Sequence, residues 1–184
     1  MRFTYAIHPD PQQAIRLMRN VIQMLTKANF TPSTHPLLAL NRIHQTLLIA
    51  SMADGKLTQS LLDDTIKTAA QTVAGLSQIL RPGHPVRAIA IAELGKLLAV
   101  DEPEPASTPA NNTFPPSGPK RLKLAMATLR QAMDELCVGF GRENGGGETG
   151  KDVRDLLANV EKELDVWNGR TRDALEDSLI AGKN

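Results

Sequence analysis

The sequence predicts an all-α protein, an array of antiparallel helical hairpins of the tetratricopeptide-like type with six to seven helices. Apolar residues recur at steps of three and four, prolines stand where helices should begin, and strand-favouring aromatic residues are scarce. Only one Trp, one Tyr and four Phe occur among 184 residues, so the core must be aliphatic. A chain of this length can bury such a core as a single domain over residues 1–184.

A His-Pro pair precedes each of the first two predicted helices. Proline lacks the N–H that a first helical turn leaves unpaired, so it fits a helix start. We predict the first helix over residues 10–28, with Asp10 as its N-cap, and the second over residues 36–53. The expected inward stripes are Ile15, Met18, Ile22 and Leu25 in the first helix, and Leu40, Ile43, Leu47 and Ala50 in the second.

The third helix has the longest regular apolar pattern and should begin after an N-cap at Thr58. Its stripe consists of Leu62, Ile66, Ala69, Val73, Leu76 and Leu80. The breakers Arg81-Pro82-Gly83 end it. A third His-Pro pair, His84-Pro85, then opens a fourth helix that should reach about residue 100.

Residues 101–119 are rich in proline and hold one large apolar residue, Phe114, so they predict a mobile loop. A fifth helix follows, then a turn at Gly145-Gly146-Gly147; with no preceding strand and no Gly-Lys-Ser/Thr, this is not a phosphate loop. A sixth helix over 151–168 and a short seventh over 171–180, within a weakly ordered tail 169–184, complete the prediction. Their apolar faces are Leu122, Met126, Leu129, Met133, Leu136 and Phe140 in the fifth helix, and Val153, Leu156, Leu157, Val160, Leu164 and Trp167 in the sixth.

One pair of helices fits the tetratricopeptide hairpin closely, and an earlier pair fits it in degenerate form. The close fit consists of Ile91, Leu94, Gly95 and Leu98 with Ala125, Leu129 and Ala132. The degenerate copy consists of Leu40, Ile43, His44 and Leu47 with Leu62, Ile66 and Ala69. Gly95 is expected where two helices cross closely, whereas His44 occupies a position that belongs to a small residue.

Composition argues against several classes of function. The net charge of +1 gives no global field for nucleic acid or an anionic membrane. The single cysteine, Cys137, excludes an internal disulfide or a Cys-based zinc module and is interpreted as a small buried hydrophobe. No apolar run is long enough for a membrane span or a signal peptide, so we expect a cytoplasmic or nuclear protein with neither nucleic acid nor membrane as a partner.

Metal and catalytic sites are also not predicted. The His-Pro histidines could in principle converge on a metal, but none has a second ligand one helical turn away. The neighbouring carboxylates Asp63-Asp64 and Glu161/Asp165 are interpreted as solvated helix faces. We therefore expect no catalytic residue, no cofactor and no metal on this chain.

A basic cluster at the start of the fifth helix opposes the helix dipole, so it does not serve helix stability. It could receive an acidic peptide or phosphate, although a solvated helix face is the simpler interpretation. The candidate peptide-binding residues are Arg87, Lys96, Lys120, Arg121, Lys123 and Asn41.

Two segments resemble the C-terminal helical domain of the SET-and-MYND lysine methyltransferases, particularly the fungal ones. They are His84-Pro85-Val86-Arg87 and the stretch from Leu136 to Glu143, which contains Gly139-Phe140-Gly141-Arg142. The resemblance extends over most of residues 30–170 and is also specific over His84–Leu98 and Phe114–Leu136. In that family a SET domain binds S-adenosylmethionine and methylates lysine, a MYND module binds zinc, and the tetratricopeptide-like domain closes over the substrate cleft and contacts partners such as chaperone tails. This chain has no Asn-His-Cys motif, no zinc cysteines and no tyrosine after Tyr5, so no catalytic or cofactor residue carries over.

The resemblance implies a non-catalytic helical interaction module whose partner is a protein or acidic peptide, for example a chaperone tail or its own SET domain in a longer protein. The alternative is that the chain is the C-terminal fragment of an active S-adenosylmethionine-dependent protein-lysine methyltransferase, in a truncated gene model. A third hypothesis, a helical protein at a lipid surface, would need a basic amphipathic helix without a packed partner.

Overall fold

The computed structural model describes residues 11–53, 57–103 and 114–181, and within these ranges the side chains of residues 12–169. These residues form helices and no strand, which confirms the all-α prediction. Asp10, most of the predicted 101–119 loop and the last three residues of the tail lie outside the described residues. The helices are α1 Pro11–Lys27, α2 His35–Ala53, α3 Gln59–Ile79, α4 Pro85–Leu98, α5 Pro119–Phe140 and α6 Gly147–Ala181.

The chain divides into two compact units, Met1–Arg81 with α1 to α3 and Pro82–Asn184 with α4 to α6. In the first unit α2 packs against both α1 and α3; in the second, α5 packs against both α4 and α6. A single domain over residues 1–184 stays a prediction.

Helices α3 and α4 begin where the sequence predicts, and a side chain caps each start. The hydroxyl of Thr58 accepts the backbone N–H of Leu61 at 3.2 Å, which caps α3. The Nδ1 atom of His84 accepts the backbone N–H of Val86, also at 3.2 Å, and Pro85 then occupies the first position of α4. The His-Pro pair at this site is therefore a helix-start signal.

The buried face of α2 is not the predicted one. Ile43 is 50% exposed and Ala50 is exposed, whereas Leu40 and Leu47 are only half-buried. The buried residues are Leu37, Asn41, His44, Gln45, Leu48 and Ser51. The predicted stripe has the correct helical period but lies one residue away, because hydrophobicity favours a face that excludes Asn41 and His44 while packing has placed those polar residues inside.

The buried face of α3 carries apolar residues and threonines. Of the predicted stripe, Leu62, Ile66, Ala69 and Leu76 are buried, and Val73 and Leu80 are half-buried. The buried hydroxyls of Thr65, Thr68 and Thr72 donate to backbone carbonyls four residues earlier in the same helix, at 2.7, 2.8 and 3.1 Å. Each hydroxyl is thus hydrogen-bonded without help from a neighbouring helix.

Helices α4 and α5 cross at Gly95, as the hairpin pattern predicts. A Cβ atom added to Gly95 would lie 2.6 Å from Cδ2 and 2.7 Å from Cγ of Leu129. The other members of this repeat are buried, apart from the half-buried Leu94. At the opposite end of α4, Gly83 N donates to Glu135 of α5, so the two helices run antiparallel.

The last helix is longer than predicted. Instead of a helix over 151–168 and a separate seventh helix, α6 runs without a break for 35 residues. An isolated glycine such as Gly169 costs a helix only about 1 kcal/mol, so without a proline it does not end one. The helix begins at Gly147, where Glu148 complements the helix dipole in the first turn. Val153, Val160 and Leu164 are buried as expected, whereas Trp167 and Phe140 of α5 remain partly exposed.

Candidate functional site

Arg121, predicted to belong to a peptide-binding cluster, is buried and 1% exposed. Its Nε and Nη2 atoms donate to the carbonyls of Leu98 and Leu97, each at 3.1 Å. Its Nη1 atom lies 3.6 Å from Oε1 of Glu102. The guanidinium therefore binds two carbonyls in the last turn of α4, and it faces the protein rather than a peptide.

Arg87 is also engaged within the second unit. Its Nη2 atom lies 3.0 Å from Oε1 of Glu135, and both side chains are largely buried. The other carboxylate oxygen of Glu135 accepts the backbone N–H of Gly83 at 3.2 Å. This carboxylate joins the start of α4 to the last turns of α5.

The lysines among the predicted residues lie at the surface. Lys96 forms an ion pair with Asp152 of α6 at 3.0 Å, with both side chains well exposed, so the pair contributes little to stability. Lys120 and Lys123 lie exposed in the first turns of α5, and the described residues provide neither with an ion-pair partner within 4.0 Å. Among the predicted cations, Arg121 is thus buried and Arg87 largely buried, whereas the three lysines are accessible.

Lys123 borders a shallow groove of about 510 Å³ between α5 and α6. Met126 and the buried Leu164 give the groove an apolar floor. An ion pair of 2.8 Å between Arg130 Nη2 and Glu161 Oε1 crosses it. The groove can receive an extended segment that places apolar atoms on this floor and a negative charge at the lysine end. Its lining residues are Lys123, Met126, Arg130, Glu161, Leu164, Asp165 and Asn168.

Asn41, the remaining predicted residue, belongs to the first unit and is 1% exposed. Its Oδ1 atom has no hydrogen-bond partner among the described residues, and neither has Nε2 of His44, one turn further along α2. Sequence reasoning treated His44 only as an imperfect repeat position. The signal that could have identified the pair is their spacing of three residues, which places Asn41 and His44 on one face of α2.

His44 lines a cleft of about 160 Å³ to which α1, α2 and α3 all contribute. At this cleft Arg19 of α1 pairs with Asp64 of α3, with 2.9 Å between Nη2 and Oδ2. Burial lowers the pKa of His44 below its usual value of 6.5, the Arg19 charge lowers it further, and the Asp64 charge opposes both in part. The imidazole is therefore neutral at pH 7.

This environment predicts a pH-dependent stability. The unfolded chain binds a proton at His44 more readily than the folded chain does, so the contribution of His44 is complete above pH 6.5 and is lost as the pH falls below that value towards the lower folded pKa. We expect the free energy of unfolding, measured with urea, to fall across this window less steeply in His44→Leu than in the unchanged protein. The exposed His35 provides the control, and an equal slope in His44→Leu and His35→Gln would contradict the prediction.

The described residues also bear on a metal site, on the burial of Cys137 and on membrane-spanning helices. Among the described residues, no cluster of three or more His, Cys, Asp or Glu side chains could hold a metal ion. Cys137 is half-buried rather than fully buried. None of the helices, as far as the chain is described, has both the length and the apolar character needed to cross a membrane.

Comparison with known proteins does not assign the chain to a family. No protein-family model matches it, and no curated protein gives a significant match.

Proposed function

We propose that this chain is a non-catalytic protein-interaction module that binds an acidic peptide segment along the groove between α5 and α6. The observation that carries the proposal is the position of Lys120 and Lys123, exposed in the first turns of α5, with Lys123 bordering a groove whose floor is apolar. Exposed lysines can form charge-assisted hydrogen bonds with carboxylates of a partner, and apolar contacts can hold the rest of the segment.

The proposal includes kinship with the C-terminal helical domain of the SET-and-MYND methyltransferases. The two segments that carry the resemblance meet in the second unit: Glu135, beside the second segment, binds Arg87 and the Gly83 N–H at the first. A Cβ atom on Gly139 would lie 2.6 Å from the carbonyl oxygen of Gly83, so the helices approach closely there. These residues close a helical hairpin, so the likeness supports a shared scaffold and says nothing of methyl transfer.

The test is a calorimetric titration with an acidic C-terminal peptide at low and moderate salt. Arg121 is left in place because its buried guanidinium holds α4, so the double variant Lys120→Ala/Lys123→Ala is used. We expect it to bind about two- to tenfold more weakly than the unchanged protein at low salt, and the difference to shrink as salt screens the charges.

The matched control is Lys151→Ala/Lys162→Ala, which removes two exposed lysines of α6 that do not line the groove. Equal affinity in the two double variants would exclude the α5 lysines from the binding surface. S-adenosylmethionine is titrated into the same preparation to address the alternative function. Saturable binding of that cofactor would contradict a non-catalytic module and favour a methyltransferase fragment.

A further inference from the structure

Two polar atoms on the buried face of α2 lack hydrogen-bond partners among the described residues. Neither Oδ1 of Asn41 nor Nε2 of His44 meets a hydrogen-bonding atom among the described residues, and their side chains are only 1% and 6% exposed. A buried polar atom left without a hydrogen bond costs about 1–3 kcal/mol, so native proteins rarely retain one without a ligand or a water to satisfy it. Both atoms lie on the face of α2 that the apolar pattern did not select.

The two side chains line adjoining cavities of the first unit. His44 borders the cleft of about 160 Å³, and Asn41 borders a smaller cavity of about 80 Å³. Ile22 of α1 and Gln71 of α3 line both. Among the described residues α1 and α3 contact α2 but make no close backbone contact with each other, which leaves this space above α2.

The charges around the cleft select the kind of ligand. Arg19 from α1 and Lys67 from α3 are positive, and Asp64 from α3 is negative, so the lining carries one net positive charge. Arg19 already pairs with Asp64, whereas Lys67 has no ion-pair partner among the described residues. A metal cation would be repelled by two basic groups and would find a single carboxylate. An anion would gain from both basic groups and from the side-chain amides of Gln23 and Gln71.

We infer that the cleft over α2 is a binding site for a small oxyanion, a carboxylate or a tetrahedral sulfate- or phosphate-like group. The Nε2–H of neutral His44 donates to one oxygen of the anion, and Arg19 and Lys67 supply the charge. Bound in this way, the anion gives Nε2 the hydrogen bond that the protein alone does not provide. This site is separate from the α5–α6 groove and does not depend on the proposed peptide binding.

The test follows the His44 imidazole by NMR while sulfate or acetate is added to the full chain at constant ionic strength. We expect at least one of the two anions to shift the His44 resonances along a saturating curve with a midpoint at or below about 10 mM. Saturation by sulfate alone identifies a tetrahedral ligand, and saturation by acetate alone identifies a carboxylate. If the His44 resonances shift linearly with the concentration of both anions, the inference is overturned.

Two variants that break the same ion pair should act in opposite directions. Arg19→Gln removes a positive charge from the cleft, so the anion should bind about tenfold more weakly. Asp64→Asn removes the competing carboxylate and releases Arg19, so the anion should bind about threefold more tightly. Both side chains are partly exposed, so neither change disturbs the core.

The control is Arg16→Gln, on α1 one turn before Arg19, because Arg16 is exposed and does not line the cleft. Its anion affinity should stay within about twofold of that of the unchanged protein, since screened surface charges act weakly at a distance. If the two substitutions merely destabilised the first unit, the anion affinity would change in the same direction in Arg19→Gln and in Asp64→Asn. That result, or equal affinities in Arg16→Gln and Arg19→Gln, would overturn the inference.

Discussion

The substitution Arg121→Met is expected to lower the free energy of unfolding of the second unit by about 3–5 kcal/mol, because it removes one partner of a buried ionic group. Methionine has a similar length but cannot donate, so the carbonyls of Leu97 and Leu98 lose the hydrogen bonds that they accept from the guanidinium. The carboxylate of Glu102 loses its ion pair at the same time and, among the described residues, keeps the backbone N–H of Gly118, at 2.7 Å.

Urea unfolding followed by circular dichroism measures this effect. The neighbouring Lys120→Met is the control, because Lys120 is exposed and its replacement should change stability by less than about 0.5 kcal/mol. If Arg121→Met lowered the free energy of unfolding no more than Lys120→Met does, the guanidinium would not be stabilising the end of α4 in solution. The contrast also shows why a variant lacking all three basic residues of the α5 start would report on folding as well as on binding.

The second large effect is expected at Gly95. Gly95→Leu should cost about 1–3 kcal/mol through overpacking, although leucine is the better helix former. The added Cβ alone would lie 2.6 and 2.7 Å from two carbons of Leu129 and 3.3 Å from its backbone nitrogen. Rotation of the Leu129 side chain cannot move that nitrogen, so α4 and α5 must separate.

Gly169→Ala is the matched comparison, since it also replaces a helical glycine, but a Cβ there meets no atom within 4 Å. This change should raise the free energy of unfolding by up to about 1 kcal/mol through helix propensity. An increase in the midpoint of thermal unfolding for both variants would show that α4 and α5 do not pack closely at Gly95.

Sequence reasoning predicted the features that depend on neighbouring residues. The N-cap at Thr58 and the helix start at His84-Pro85 involve residues within three positions of the capped N–H groups, so local patterns are sufficient to identify them. The Gly95 crossing was also predictable, because a repeat template places a small residue opposite a large one.

The features that could not be predicted from the sequence depend on contacts between distant parts of the chain. Arg121 and Lys120 are adjacent and chemically similar in sequence, and only the carbonyls at the end of α4, more than twenty residues away, distinguish them. The buried face of α2 could not be predicted from hydrophobicity, because Asn41 and His44 lie inside despite their polarity. The cleft over α2 was missed for the same reason.

The threonines of α3 have a consequence for how this protein can change over evolution. Because the hydroxyls of Thr65, Thr68 and Thr72 are satisfied within their own helix, a substitution on a neighbouring helix leaves none of them without a partner. A core whose polar atoms depend on a neighbouring helix allows few exchanges at that contact, since each exchange must restore a hydrogen bond. An exchange in a neighbouring helix therefore need not restore a hydrogen bond to these hydroxyls, and α3 can keep its sequence while apolar residues packed against it change.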